Sequence, residues 1–147
     1  MEIKTVKSEN EIVRLIDLFI EVFQKKPYNE KWNKKATGKR LKQLYNEAKE
    51  FLLYAESQGR VVGLTACQKL TWPNGNHLII EDLVVAKEYR GRGVGAALII
   101  KLEKIAKKKG IPAIDILVNK KSLAMEFWKK QKYRQTDYVQ FSKKIPR

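Results

Sequence analysis

The densest chemistry in the sequence is Arg90-Gly91-Arg92-Gly93-Val94-Gly95-Ala96, which follows the apolar run Leu83-Val84-Val85 after four intervening residues. Glycines let backbone N–H groups come close to a ligand with no Cβ in the way. A helix that opens at such a turn offers unpaired N–H donors and the positive end of its dipole. With Arg90 and Arg92 beside it, the segment forms an anion cradle suited to a pyrophosphate. Two adjacent carboxylates, Glu81 and Asp82, stand just upstream. The sequence has one cysteine, Cys67, and one histidine, His77. No internal disulfide can form, and no metal-ligand cluster accompanies either residue. Cys67 lies in the apolar-leaning stretch Val61 to Cys67 and reads as a buried thiol. A reactive thiol would need a basic partner, and a Cys67–His77 pair would have to form through the fold.

The elements that must position these residues follow from periodicity. Glu9 to Phe23 carries Ile12, Leu15, Ile16, Phe19, Ile20 and Phe23 at helical spacing, with Ser8 as N-cap, Glu11 completing a capping box, and Pro27 ending the element. A weaker helix over Lys34 to Ala48 presents Leu41, Leu44 and Tyr45. Strands are predicted over Phe51 to Ala55 and Val61 to Lys69, joined at Gln58-Gly59. After the turn Trp72-Pro73-Asn74-Gly75, a further strand runs from His77 to Val85. Gly93 to Lys109 is a strong helix with Val94, Leu98, Leu102 and Ile105 in one stripe, capped by Gly110 and stopped by Pro112. A strand over Ala113 to Val118, a short helix over Ser122 to Lys130 and a last strand over Tyr138 to Ile145 complete the reading. This order describes one mixed α/β domain over residues 1–147.

The glycine turn admits three readings. Gly91, Gly93 and Ala96 formally satisfy a dinucleotide fingerprint. That turn, however, should follow the first strand directly and precede an acidic strand end by about 20 residues, whereas Asp115 falls inside its strand pattern. No Gly-Lys-Ser/Thr follows, so a Walker loop is excluded. A capping role alone does not need three glycines in five residues. Arg90-x-x-Gly93-x-Gly95 matches the acetyl-CoA signature R/Q-x-x-G-x-G/A, and the whole segment Glu81 to Lys104 resembles the strand–loop–helix unit that carries it in the GNAT superfamily of N-acetyltransferases. The order of elements resembles the GNAT fold over nearly the whole chain.

The resemblance implies a central, mostly antiparallel twisted sheet flanked by helices, with acetyl-CoA as cosubstrate. It assigns the phosphates to Arg90, Gly91, Arg92, Gly93, Val94, Gly95 and Ala96. It assigns the pantetheine arm and thioester carbonyl to the backbone of Leu83, Val84 and Val85. Glu81-Asp82-Leu83-Val84-Val85 resembles the Glu-Asp-x-x-Val stretch of diamine and glucosamine-phosphate acetyltransferases, making Glu81 the candidate base and Asp82 a candidate acceptor contact. Strand alternation places the two on opposite faces unless a bulge intervenes. The family's Ala-x-x-Phe-Tyr segment falls on Ala124 to Trp128, with Phe127 as a cofactor contact and Trp128 in place of the tyrosine. Tyr133, Tyr138 or water is then left to protonate the departing thiolate, and Tyr133 is taken as the candidate. Asn119 corresponds loosely to the family's loop asparagine, a further cofactor contact. Tyr28, Glu30 and Trp32, in a stretch like the family's Pro-Trp-Asn-Glu loop, form either an amine-binding wall or a clasp between two helices.

Composition bounds the partners. The chain has 147 residues and a net charge of +15, from 31 Lys and Arg against 16 Asp and Glu. Such an excess favours anionic partners or reflects a solvated surface. The lysines occur as pairs and triplets along the whole chain rather than as one tail, which disfavours a nucleic-acid partner. No apolar run approaches the roughly 20 residues that span a bilayer, and a cytoplasmic protein is expected. The preferred reading is an N-acetyltransferase acting on a small-molecule primary amine, with a homodimer left open by the resemblance. Protein lysine or N-terminal acetylation and a non-catalytic acyl-CoA sensor are the alternatives.

Overall fold

The computed structural model describes residues 1–147. Five strands form one sheet in the order β1 (Glu2–Thr5), β2 (Leu53–Ser57), β3 (Arg60–Trp72), β4 (Gly75–Val85) and β5 (Ile114–Ile116). Successive strands pair antiparallel except β4 and β5, which are parallel. Helices α1 (Glu9–Phe23), α2 (Lys34–Glu47) and α3 (Val94–Lys108) accompany the sheet. The chain divides into two compact units, Met1–Leu117 and Val118–Arg147, and the second contains α4 (Ala124–Lys130).

Local chemistry accounts for the element ends. Gln58 and Gly59 both have positive φ, 51° and 74°, as the tightest hairpin turn requires, and Ser57 faces Arg60 across it. Asn33 caps α2, its Oδ1 accepting from the Ala36 N–H at 2.8 Å. Ser8 occupies the N-cap position of α1 without a side-chain bond, while Glu11 accepts from the Lys7 N–H at 3.2 Å. The expected capping box is thus shifted by one residue. Beyond α3, Gly110 at φ 73° lets its own N–H reach the Lys107 carbonyl, and the Ile111 N–H reach that of Ala106.

The core lies along β3. Every residue from Val61 to Cys67 is buried, and alternate residues point to opposite faces, so both faces of the strand are covered. Ile12, Leu15, Ile16, Leu18, Phe19 and Val22 of α1 are buried, as are Leu41, Leu44 and Tyr45 of α2. Val94, Leu98, Ile99 and Leu102 do the same for α3. No helix is long and apolar enough to cross a membrane.

Two elements differ from the sequence reading. β1 is an unexpected strand: Glu-Ile-Lys-Thr carries one apolar residue, too few for a visible alternation, and it is held by pairing with β2 and by Lys4 on Glu56 at 2.8 Å. The last strand predicted over Tyr138 to Ile145 does not form. Tyr138, Val139, Phe141 and Ile145 are all exposed there. Alternation marks a strand only when one face is buried against something, and here neither face is. Within the second unit, buried Trp128 stands edge-on to Phe127 and to Tyr133, each with ring centroids 5.0 Å apart.

At Gly63 of β3, an added Cβ would lie 2.9 Å from Val94 Cγ1, 3.1 Å from Leu98 Cδ1 and 3.2 Å from the Val84 carbonyl oxygen. Packing against a backbone oxygen leaves little room to relax. Gly63→Ala is therefore expected to cost about 1–3 kcal/mol by overpacking, read as a lowered chemical-denaturation midpoint. An unchanged midpoint would show that α3 does not seat tightly on β3.

Candidate active site

The glycine turn has the geometry that an anion cradle needs. A 3₁₀ turn over Lys87–Tyr89 leads from β4 to Arg90. Gly91 and Gly93 then adopt left-handed φ values of 73° and 82°, and nothing lies within 4 Å of the position a Cβ would take at either. Ala97 donates to the Gly93 carbonyl at 3.0 Å, so the N–H groups of Val94, Gly95 and Ala96 precede the first intrahelical bond of α3. The Arg90 Nε donates to the Val85 carbonyl at 3.3 Å, and the Arg92 guanidinium lies 5.6 Å from the Tyr89 ring centroid. Open space, unpaired donors, a helix dipole and two guanidinium groups fit a pair of linked phosphates.

β4 supplies a second feature. It pairs with β5 only through Leu78, Ile79 and Ile80. From Asp82 to Val85 it pairs with β3 on one side, and its other edge has no strand partner. At the point of divergence the register shifts: Ala66 faces Asp82 while Cys67 faces Ile80, which leaves Glu81 as an extra residue, a β-bulge. Leu83, Val84 and Val85, the residues expected to present their backbone to a ligand, all lie on this one-sided stretch.

The bulge brings Glu81 and Asp82 to one cation. Arg40 of α2 donates to both Asp82 oxygens, Nε at 3.0 Å and Nη2 at 3.3 Å, and its Nη2 lies 3.6 Å from Glu81 Oε2. The Asp82 side chain is 5% exposed, against 33% for Glu81 and 31% for Arg40. Burial raises the Asp82 carboxyl above its ordinary range, with the Arg40 contact opposing the rise. Arg40 stays protonated: its carboxylate neighbours outweigh the burial that would lower it. Asp82, expected to contact the acceptor, is thus committed to a bidentate ion pair, whereas Glu81 keeps a partly exposed carboxylate. Arg40 did not figure in the sequence reading. Its signal, a cation on α2 opposite a buried acid on β4, exists only across 42 residues of sequence.

Two of the three expected residues of the loop before α2, Glu30 and Trp32, are brought to this cluster, and Tyr28 is not. Trp32 Nε1 donates to Glu30 at 2.8 Å, and the Arg40 guanidinium lies 5.6 Å from the centroid of the Trp32 ring. Trp32 also meets Phe19 edge-on at 5.1 Å, while half-exposed Tyr28 packs on Phe23 at 4.9 Å. The aromatics therefore clasp α1, and Trp32 and Glu30 additionally border Arg40 and the carboxylates.

The remaining expected residues lie in the second unit. The Asn119 side chain accepts from the Lys121 N–H at 2.9 Å, and its carbonyl accepts from the Ser122 hydroxyl at 2.7 Å, so it organises the turn before α4. The Tyr133 N–H donates to the Trp128 carbonyl at 3.0 Å, and Phe127 packs on Trp128. Cys67 is buried, and its thiol is pushed up to about 12, chiefly by burial and then by Glu81 and Asp82. It does not pair with His77, whose ring stacks on Trp72 at 5.0 Å and hydrogen-bonds Asn74 at the tip of the β3–β4 hairpin. No group of three His, Cys, Asp or Glu residues is arranged to hold a metal ion.

With this geometry in place, comparison with known proteins gives the class. The acetyltransferase (GNAT) family pattern matches residues 12–133, and the chain belongs to that family. An uncharacterized N-acetyltransferase of Methanocaldococcus jannaschii is 28% identical over 146 residues, covering 93% of this chain, which spans 64% of that protein's length. The crystal structure of a possible acetyltransferase from Clostridium difficile 630 superposes with a TM-score of 0.82 at 18% identity, over 99% of this chain and 98% of that one. An aminoglycoside acetyltransferase from an uncultured soil metagenomic sample, in complex with sisomicin, superposes with a TM-score of 0.77 at 21% identity, over 99% and 96%. These structures share the fold.

The Arg40–Asp82 pair yields a stability test. Removing the cation leaves a buried carboxylate uncompensated, which costs about 3–5 kcal/mol for a fully buried pair. Because Arg40 is about one-third exposed, solvent screening lowers the expectation for Arg40→Met to about 1–3 kcal/mol. Asp82→Asn in the same chain should recover most of it. A raised folded-state value means that Asp82 binds its proton more tightly in the fold. Its favourable contribution is present below the unfolded value of about 3.9 and is lost as pH rises through the raised value. The cost of Arg40→Met should therefore shrink on acidification from neutral pH towards 4 in urea-unfolding curves. A cost independent of pH would refute this account of the pair.

Proposed function

We propose that this protein transfers an acetyl group from acetyl-CoA to a primary amine of a small-molecule acceptor, acting as one domain over residues 1–147. The observation that carries the reading is the junction of an unpartnered stretch of β4 with a left-handed glycine turn that opens α3. One segment thus offers backbone groups for an extended amide-bearing arm and, next to it, donors for two phosphates. The family match, which runs through both units, supports treating the chain as a single enzyme domain.

In this reading the N–H groups of Val94, Gly95 and Ala96, with Arg90 and Arg92, hold the pyrophosphate. The backbone of Leu83, Val84 and Val85 pairs with the pantetheine arm as an added strand would. Acetyl-CoA supplies the activated acyl group. The neutral amine attacks the acyl carbon, a C–N bond forms, the C–S bond breaks, and the amine's proton passes to Glu81 directly or through water. Glu81 suits the base because its carboxylate is partly exposed and touches Arg40 only loosely, at 3.6 Å. Glu30 and Trp32 border the same cluster, and the Glu30 carboxylate favours a cationic acceptor by its charge. The sisomicin bound to the soil-metagenome aminoglycoside enzyme is an amine of that kind, which supports a small-molecule acceptor here. Asn119 and Phe127 as cofactor contacts, and Tyr133 as proton donor to the thiolate, rest on the family resemblance alone.

Two measurements test this. Gly91→Ala or Gly93→Ala puts a Cβ where a phosphate is held, at a cost of about 1–2 kcal/mol for the left-handed backbone. Calorimetric affinity for coenzyme A should fall at least about 10-fold while the fold persists. Equal affinity in both variants would remove the cradle. Glu81→Gln should lower kcat by about 100-fold or more in an assay of thiol release with a panel of amines, leaving coenzyme A binding intact. Unchanged turnover would dismiss Glu81 as the base.

A further inference from the structure

A cavity of about 250 Å³ lies between the C-terminal end of α1 and the 3₁₀ turn before Arg90, lined by Glu21, Val22, Lys25, Lys26, Lys87 and Arg90. Four of its six lining residues are cations. No carboxylate forms an ion pair with any of them. Glu88, the acid next to Lys87 in sequence, is bonded to Arg60. Glu21 is the only carboxylate in the lining and has no ion-pair partner either.

Four positive groups around one concavity repel each other. Lys25 and Lys26 sit just past the end of α1, where cations complement the helix dipole. That explains two of the four but not Lys87 and Arg90 on the opposite wall. Arg90 is fixed by its bond to the Val85 carbonyl and belongs to both the cavity and the glycine turn. The cavity therefore shares Arg90 with the proposed pyrophosphate cradle, while its lysines stand outside the turn.

We infer that this cavity is a second phosphate subsite, taking a phosphomonoester group. The inference rests on the acetyltransferase reading for the ligand that delivers the phosphate. A phosphomonoester carries close to two negative charges at neutral pH and three acceptor oxygens, and Lys25, Lys26 and Lys87 supply mobile point charges to match. Two sources share this chemistry: the 3′-phosphate of the coenzyme, or a phosphate on the acceptor.

The probe is inorganic phosphate, titrated by ³¹P NMR into the full chain. The native protein should bind it at least 10-fold more tightly than Lys25→Gln/Lys26→Gln/Lys87→Gln, with Lys87→Gln alone intermediate. A control carrying Lys101→Gln/Lys104→Gln/Lys108→Gln, the same charge loss at exposed positions of α3, should bind phosphate like the native chain. Repeating the titration with saturating coenzyme A, then with 3′-dephospho-coenzyme A, identifies the source. Phosphate excluded only by coenzyme A assigns the subsite to the coenzyme's own 3′-phosphate. Phosphate bound equally with both leaves it for the acceptor. Equal phosphate affinity in the native chain and the triple variant, or equal loss in the α3 control, overturns the subsite. If phosphate binds as expected but neither coenzyme does, the subsite stands and the acetyltransferase reading fails.

Discussion

Past Ile80, β4 has a strand on one side only, and the rest of the site follows from that constraint. A backbone stretch with donors and acceptors on a free edge must find other partners. β5 cannot supply them because it is three residues long and its register with β4 ends at Ile116. The bulge at Glu81 falls at the same point, and bulges bend and re-aim the strand that carries them. The edge from Asp82 to Val85 is therefore a place for an extended ligand to pair. The turn that follows it has open space and unpaired helix-start donors, which suit an anionic group.

The same bulge sets the electrostatics. Alternation would send Glu81 and Asp82 to opposite faces, yet both reach Arg40. Asp82 is buried enough that a lone charge there would be costly, and the guanidinium of α2 lowers that cost with two hydrogen bonds. This ties α2 to β4 at the point where β4 leaves β5. It also sorts two neighbouring carboxylates into different roles: Asp82 is held in the ion pair, while Glu81 remains accessible. Trp32 covers Arg40 from the loop side, so the segment before α2 is attached to the same assembly.

How much of this was legible in the sequence depended on the range of the interaction. The glycine turn was readable because its requirements are local: positive φ at Gly91 and Gly93 and a helix start at Val94 lie within four residues. α1, α2, α3 and both hairpins were readable from periodicity and turn chemistry for the same reason. β1 was not, since four residues with one isoleucine carry no pattern and the strand exists through β2. The strand expected over Tyr138 to Ile145 failed in the opposite way, as an alternating pattern without a surface to cover. Within the candidate site, Glu81 and the turn could be proposed from their neighbours. Arg40 could not, because nothing near residue 40 announces a partner at residue 82. The separation of Glu81 from Asp82 in role required the bulge, which is a property of the β3–β4 register.

Charge is arranged along β4 as well as around it. Carboxylates gather at the bulge end, where Glu81, Asp82 and Glu30 surround Arg40. Cations gather at the other end, where Arg90, Arg92, Lys87, Lys25 and Lys26 surround the turn. Val85 lies four residue steps along the strand from Glu81, about 13 Å at the usual rise. A ligand with a phosphate end and a neutral acyl end, laid along this edge, would be oriented by that gradient before any specific contact formed. An ammonium approaching the acyl end would be drawn by the carboxylates and repelled by the turn. The net charge of +15 is spread over the whole chain, yet three carboxylates against the single guanidinium of Arg40 leave the bulge end of β4 locally acidic.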